Sequence, residues 1–171
     1  NPDEMFLQTR PKRGLLTSSE IRCLALAELN LGPTSVVWDI GAGSGSVAIE
    51  AGQISPGGEV YAIEMDVDDF ALIAQNAERF GVSNVFPIHG AAPIAWQQLP
   101  DPDAIFIGGT GRQLAAIVTD ALARLKPGGR IVADMASIDN VSEVQTILRD
   151  ATGDVKVWMF NVARGNYQLE R

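Results

Sequence analysis

The run Asp39-Ile40-Gly41-Ala42-Gly43-Ser44-Gly45-Ser46 places three glycines between an apolar stretch and a helical one. Glycine lets the backbone turn tightly and lets a ligand approach with no Cβ in the way. The N-terminus of the helix that follows favours a negative group, such as a ligand carboxylate. A dinucleotide fingerprint puts its third glycine at the sixth motif position, which is Ser46 here; this chain has Gly-x-Gly-x-Gly instead. Glu64 ends the second apolar run, nineteen residues after Gly45. An acid there can accept hydrogen bonds from both hydroxyls of a ribose. Loop and acid together fit S-adenosylmethionine better than NAD. Asp39 is suited either to orient the glycine loop or to meet a ligand's ammonium group.

Other residues have chemistry to offer. His89, the single histidine, ends the third apolar run beside the cofactor loop, where it is a candidate acid or base and, more often, a structural residue. Ile107-Gly108-Gly109-Thr110-Gly111 follows the fourth run, and its glycines would let a bulky planar substrate approach the backbone. It is not the Asn/Asp-Pro-Pro-aromatic motif with which amino-group methylases accept an N–H. Arginine's fork suits carboxylates. The basic candidates are Arg10, Lys12, Arg13, Arg112 and Arg164, with Arg112 at a helix start and Arg164 in a loop. Cys23 is expected in the core. Trp38 and Trp96 are read as packing, with Trp96 an alternative pocket wall.

These residues sit on an alternating pattern. Thr17-Ser18-Ser19-Glu20 has the form of a capping box, with Thr17 as cap, and opens a helix that buries Ile21, Leu24, Ala25 and Leu29. Gly32-Pro33 stops it. Strands are expected at 36–40, 60–63, 85–89, 104–107 and 130–135. Helices are expected at 46–53, 66–80, 95–99, 112–125 and 138–151, with Phe70, Ile73, Ala74 and Ala77 the apolar residues of the second. Two further strands, near 155–162 and 166–170, would pair as a hairpin across Ala163-Arg164-Gly165. Apolar strands separated by helices predict a parallel sheet covered on both faces. Ligands in such sheets bind beyond the carboxyl ends of the strands.

The 171 residues make one domain, 46% hydrophobic and 20% charged. The expected division is an N-terminal segment and covering helix over 1–32 and a core over 33–171. A chain of this size buries roughly 70% of its unfolded surface without staples. Net charge −8 argues against a partner gripped through its phosphate backbone, a mode that relies on lysine and arginine. One cysteine excludes an internal disulfide framework or a cysteine-rich metal site; no metal is expected. The start has the pattern of no secretory leader, and no apolar run approaches the ~18 residues of a spanning helix. A cytoplasmic protein with no membrane or nucleic-acid partner is the expectation.

The glycine loop, Glu64 and Leu125-Lys126-Pro127-Gly128-Gly129-Arg130 resemble the class I S-adenosylmethionine-dependent methyltransferases over nearly the whole chain. The resemblance implies a Rossmann-like α/β fold, with a mostly parallel seven-stranded sheet and an antiparallel C-terminal hairpin. It implies that Gly41, Ala42, Gly43, Ser44 and Gly45 hold the methionine part of the cofactor and Glu64 the ribose. The loop His89-Gly90-Ala91-Ala92-Pro93 would lie near the adenine, with Met65 as a cover. Relatives often carry an acid at the position of Ala91.

A narrower likeness joins Thr17 and Glu20-Ile21-Arg22, Val37 through Val47, Gly108-Gly109-Thr110-Gly111 and Asn161-Val162-Ala163-Arg164-Gly165. Together they resemble the decarboxylating precorrin methyltransferases of cobalamin biosynthesis. That family methylates the carbon-15 bridge of a reduced tetrapyrrole and removes carbon dioxide from the acetate on ring C, giving precorrin-8 or its cobalt form. The resemblance implies cofactor contact at Thr17 and a homotetramer. It also implies, given the odd N-terminus, descent from the fused kind, with an upstream carbon-5 methylase domain. Substrate contacts are expected at Gly109, Thr110, Gly111, Arg112 and Arg164; the candidate catalytic groups are His89 and Arg112. Relatives often have proline where Leu15-Leu16 stands. Two rivals share parts of the pattern: a methylase of tRNA adenine or another small molecule, and a non-catalytic NAD-binding module.

Overall fold

The computed structural model describes residues 1–9, 16–109, 113–163 and 165. Five strands, β1 Val36–Ile40, β2 Glu59–Glu64, β3 Val85–His89, β4 Ala104–Ile107 and β5 Arg130–Ala133, form one parallel sheet in the order β3-β2-β1-β4-β5. Chain order reverses between β1 and β4, so their carboxyl ends flank the switch point where ligands bind. Residues on a strand alternate between faces. Val37, Val60, Ala62, Ala104 and Phe106 point to one side, and Trp38, Ile40, Ile63, Ile105 and Ile107 to the other. The first face is covered by α1 Ser19–Leu29, α2 Ser46–Ile54, α3 Val67–Arg79 and Phe6 of the N-terminal segment. The second is covered by α4 Leu114–Arg124, α5 Ile138–Thr152 and Trp96 of a 3-10 turn, Ile94–Trp96. Trp96 stacks on Trp38 with centroids 5.4 Å apart, the packing role expected of both.

Local chemistry sets the helix ends. The Asp66 side chain accepts the N–H groups of Asp68 and Asp69 to cap α3, and Ser137 accepts that of Asn140 to cap α5. Gly153 ends α5 in the left-handed conformation.

The first helix departs from expectation. Its cap position is Ser18, not Thr17, and no side chain caps it there. The buried face is Arg22, Ala25, Leu26 and Leu29, while Leu24 and Cys23 are exposed. The cause is Arg22. Its guanidinium donates to Glu50 (3.1 Å), Asp3 (2.7 Å) and the carbonyls of Thr17 and Asn1, and stands 4.8 Å over the Phe6 ring. A fully satisfied guanidinium can be buried; accommodating it turns Leu24 outward. On α3 the same exchange brings Asn76 inward and leaves Ala74 exposed.

The sheet has five parallel strands among the described residues, not seven with an antiparallel hairpin. Residues 155–163 belong to no strand, and 166–170 lie outside the described residues. Apolar side chains on both sides of this stretch are exposed, including Trp158 (62%) and Met159 (82%). Its valines and aromatic residues favour an extended chain, but a strand exists only through a ladder to a neighbour. Among the described residues, no helix is long and apolar enough to cross a membrane.

Candidate active site

The glycine loop leaves the carboxyl end of β1 and runs into α2. Its three glycines all have positive φ: 73° at Gly41, 54° at Gly43 and 89° at Gly45. Two of them explain the geometry. A Cβ on Gly41 would stand 2.2 Å from the Gly109 carbonyl oxygen, so the β1 and β4 loops touch backbone to backbone. A Cβ on Gly43 would meet nothing within 4 Å. Only φ demands glycine there, and the loop is open on that side to a ligand. Gly41 and Ala42 both donate to the Ile63 carbonyl, at 3.0 and 3.1 Å, which pins the loop to β2.

Glu64 stands at the end of β2 and is buried. One carboxylate oxygen accepts from the Gly43 N–H and the other from the Asp66 N–H, each at 2.8 Å. Its own carbonyl accepts from the Gly90 N–H at 3.0 Å. Thus one residue joins the glycine loop, the start of α3 and the loop after β3. Asp39, one strand over, faces α2. Its Oδ2 accepts from the Ala48 N–H at 2.8 Å, while Oδ1 is buried without a partner among the described residues. Burial pushes the Asp39 carboxyl up to about 7, against the Ala48 hydrogen bond, and the nearby Glu64 charge adds to the rise. An acceptor aimed at no protein donor is what an incoming ammonium group would satisfy. The cofactor expected from sequence therefore fits: an open Gly43 face, a carboxylate at Glu64 and an orphaned oxygen at Asp39.

The adenine-side candidates lie together at the adjacent edge. Register pairs Glu64 with His89. The His89 ring lies 5.0 Å from that of Phe70, and its Nε2 is 3.3 Å from the Met65 carbonyl. Met65 itself is 70% exposed, Ala91 is exposed and Ala92 half-buried, so an apolar rim surrounds this corner. His89 is thus tied to Phe70 and the Met65 backbone. Ser44 is buried. Thr17 lies just before α1, its carbonyl bonded to Arg22.

The substrate side is less fully described. Gly109 is exposed against the Gly41 backbone, and both Gly108 and Gly109 donate to the Ile40 carbonyl. Thr110, Gly111, Arg112 and Arg164 lie outside the described residues, as do Arg10, Lys12 and Arg13. Sequence reading passed over Asn76, whose side chain reaches the Ser44 carbonyl at 2.9 Å, and Phe70 as the partner of His89. The one signal for Asn76 was a polar residue three positions after Ile73 on the inward face of an amphipathic helix.

The family model described as a precorrin methyltransferase domain matches residues 10–166. A protein of Pyrobaculum calidifontis named "Probable cobalt-precorrin-6B C(15)-methyltransferase (decarboxylating)" is 37% identical over 166 residues, covering 96% of this chain and 84% of the relative. The solved structure of a precorrin 8w decarboxylase from Methanobacterium thermoautotrophicum superposes with a TM-score of 0.89 at 32% identity, over 97% of this chain and 88% of that one. A tRNA (m1A58) methyltransferase from Aquifex aeolicus shares the fold alone: TM-score 0.74 at 16% identity, over 88% of this chain and 60% of that one.

Proposed function

The chain belongs to the precorrin methyltransferase family, and from that premise we propose that it methylates carbon 15 of a precorrin tetrapyrrole and decarboxylates the ring C acetate in cobalamin biosynthesis. The reading rests on the bond between Gly43 N–H and Glu64, which ties the loop leaving β1 at the switch point to the end of β2. It unites, in one partly buried contact, the two elements that would hold the cofactor.

S-adenosylmethionine supplies an electrophilic methyl group on a sulfonium. The chain's task is to bind, align and exclude water, because methyl transfer gains much of its rate from alignment. Glu64 accepts the ribose hydroxyls. Asp39 Oδ1 accepts from the ammonium, and the N-terminus of α2, which has no side-chain cap, faces the carboxylate. Gly41, Ala42, Gly43, Ser44 and Gly45 form the floor under this part, and Thr17 closes over it. Met65, Ala91 and Ala92 line the adenine, and His89 braces that wall through Phe70 and the Met65 carbonyl. The touching backbones of Gly41 and Gly109 give a planar macrocycle a close approach, and Thr110 and Gly111 are the further substrate contacts of this reading. Arg112 and Arg164 pair with its carboxylates.

As the carbon–carboxyl bond breaks, its electron pair passes into the conjugated tetrapyrrole and carbon dioxide leaves. The protein then needs to manage one proton at most. The reading extends to one methyltransferase domain over the whole chain and to a homotetramer, which would offer cover for the exposed stretch around Trp158.

The test is a competition between acceptor classes. Labelled S-adenosylmethionine is offered together with a reduced precorrin-6-type tetrapyrrole and unmodified tRNA under anaerobic conditions. Label is expected in the tetrapyrrole; label in the tRNA instead would overturn the reading.

A further inference from the structure

Asn76 is fully buried on α3, and its amide makes three hydrogen bonds to two other segments. Oδ1 accepts from the Leu7 N–H at 2.8 Å, and Nδ2 donates to the Leu7 carbonyl at 3.0 Å and to the Ser44 carbonyl at 2.9 Å. Both amide hydrogens are used. A flipped amide would set oxygen against two carbonyls and nitrogen against an N–H, so its orientation is fixed by its partners. Ser44 belongs to the glycine loop. Leu7 belongs to the N-terminal segment 1–9, which is also held by Phe6, buried against Phe80 with centroids 4.5 Å apart, and by the Arg22 and Glu50 bonds to Asp3 and Asn1. α3 also touches the loop directly, since a Cβ on Gly45 would stand 3.1 Å from Ile73.

We propose that Asn76 is a positioning residue that couples the cofactor loop to the segment 1–9, so that cofactor binding and the seating of this segment reinforce each other. The inference rests on the reading of the glycine loop as the S-adenosylmethionine site. A buried donor that loses its acceptor is costly, and linked bonds in a dry interior are strengthened or lost together. A ligand that fixes the Ser44 carbonyl therefore fixes the amide. The amide in turn holds both backbone groups of Leu7. Binding linkage is reciprocal, so loosening the segment must weaken the ligand by the same factor.

The test measures hydrogen exchange in the full chain with and without saturating S-adenosylhomocysteine, with calorimetry to establish binding. In the unmodified protein the ligand is expected to slow exchange across residues 1–9 by about fivefold or more. Asn76→Asp keeps the acceptor for Leu7 N–H but turns carboxylate oxygen toward two carbonyls; the ligand-induced slowing should disappear. Phe6→Ala removes none of the three Asn76 hydrogen bonds and serves should the first variant fail to fold; it should weaken S-adenosylhomocysteine by about the same factor as the slowing it abolishes. Exchange in 1–9 that ignores a bound ligand, wild-type slowing in Asn76→Asp, or a wild-type Kd in Phe6→Ala overturns the coupling and leaves the cofactor site standing. No binding of S-adenosylhomocysteine to the unmodified protein overturns the cofactor reading and the coupling with it.

Discussion

Glu64 keeps both carboxylate oxygens on backbone N–H groups, those of Gly43 and Asp66, and the ribose must share that charge. Hydrogen bonds to a charged group contribute about 1.5–3 kcal/mol each. Glu64→Gln should therefore weaken S-adenosylmethionine roughly 10- to 100-fold, measured by calorimetry; an unchanged Kd would remove Glu64 from the site. Asp39 answers to pH instead. Its carboxyl stands at about 7 in the fold against an ordinary 3.8. As pH rises from 3.8 toward 7 the unfolded chain gives up this proton while the folded one retains it, so this residue's contribution to stability falls across that window and is level above it. Asp39→Asn should flatten that part of the profile in urea unfolding at pH 5 and pH 8. An ammonium prefers the ionised carboxylate, so S-adenosylmethionine affinity should rise between pH 6 and pH 8, by up to about tenfold per unit below the midpoint. Equal slopes in the two proteins would rule out the Asp39 contact. The glycine loop and Glu64 were legible because their meaning lies in local spacing. Asn76 was not, because its partners Leu7 and Ser44 meet it only in the fold.

At the scale of elements, apolar runs located all five strands, and β1, β3 and β4 begin and end where the sequence pattern places them. On the first helix the pattern finds Ala25 and Leu29 on the buried face but turns Leu24 inward and misses Arg22, because hydrophobicity cannot announce a buried arginine. Arg22 fastens α1 to Glu50 on α2 and to Asp3 in the N-terminal segment. Arg22→Met keeps most of the volume but leaves both carboxylates without the guanidinium. Breaking a buried pair on one side costs about 3–5 kcal/mol, so urea denaturation should show a loss of that size. A loss under about 1 kcal/mol, the scale of exposed pairs, would mean that the cluster is only decoration on α1.

For the whole molecule, the acidic balance of −8 separates what the fold shares from what the site selects. Class I methyltransferases that act on RNA have the same sheet, as the likeness to the tRNA methyltransferase illustrates; the core alone does not choose the acceptor. A polycarboxylate substrate needs local cations in an acidic protein. The residues proposed for that task, Arg112 and Arg164, lie outside the described residues, and sequence pattern offers a position for them but no partners. The C-terminal hairpin was over-read for a related reason. The valines and aromatic residues at 155–162 favour extended backbone, whereas pairing depends on a neighbouring strand that no local pattern specifies.

If one active site both methylates and decarboxylates, the two changes appear together in the product mass after anaerobic incubation of the protein with a precorrin-6-type tetrapyrrole and methyl-labelled S-adenosylmethionine. Each product molecule is expected to gain one labelled methyl group and to lose one carbon dioxide. A tetrapyrrole that is methylated but keeps its carboxyl, or that returns unlabelled, would show that the site does not join the two steps.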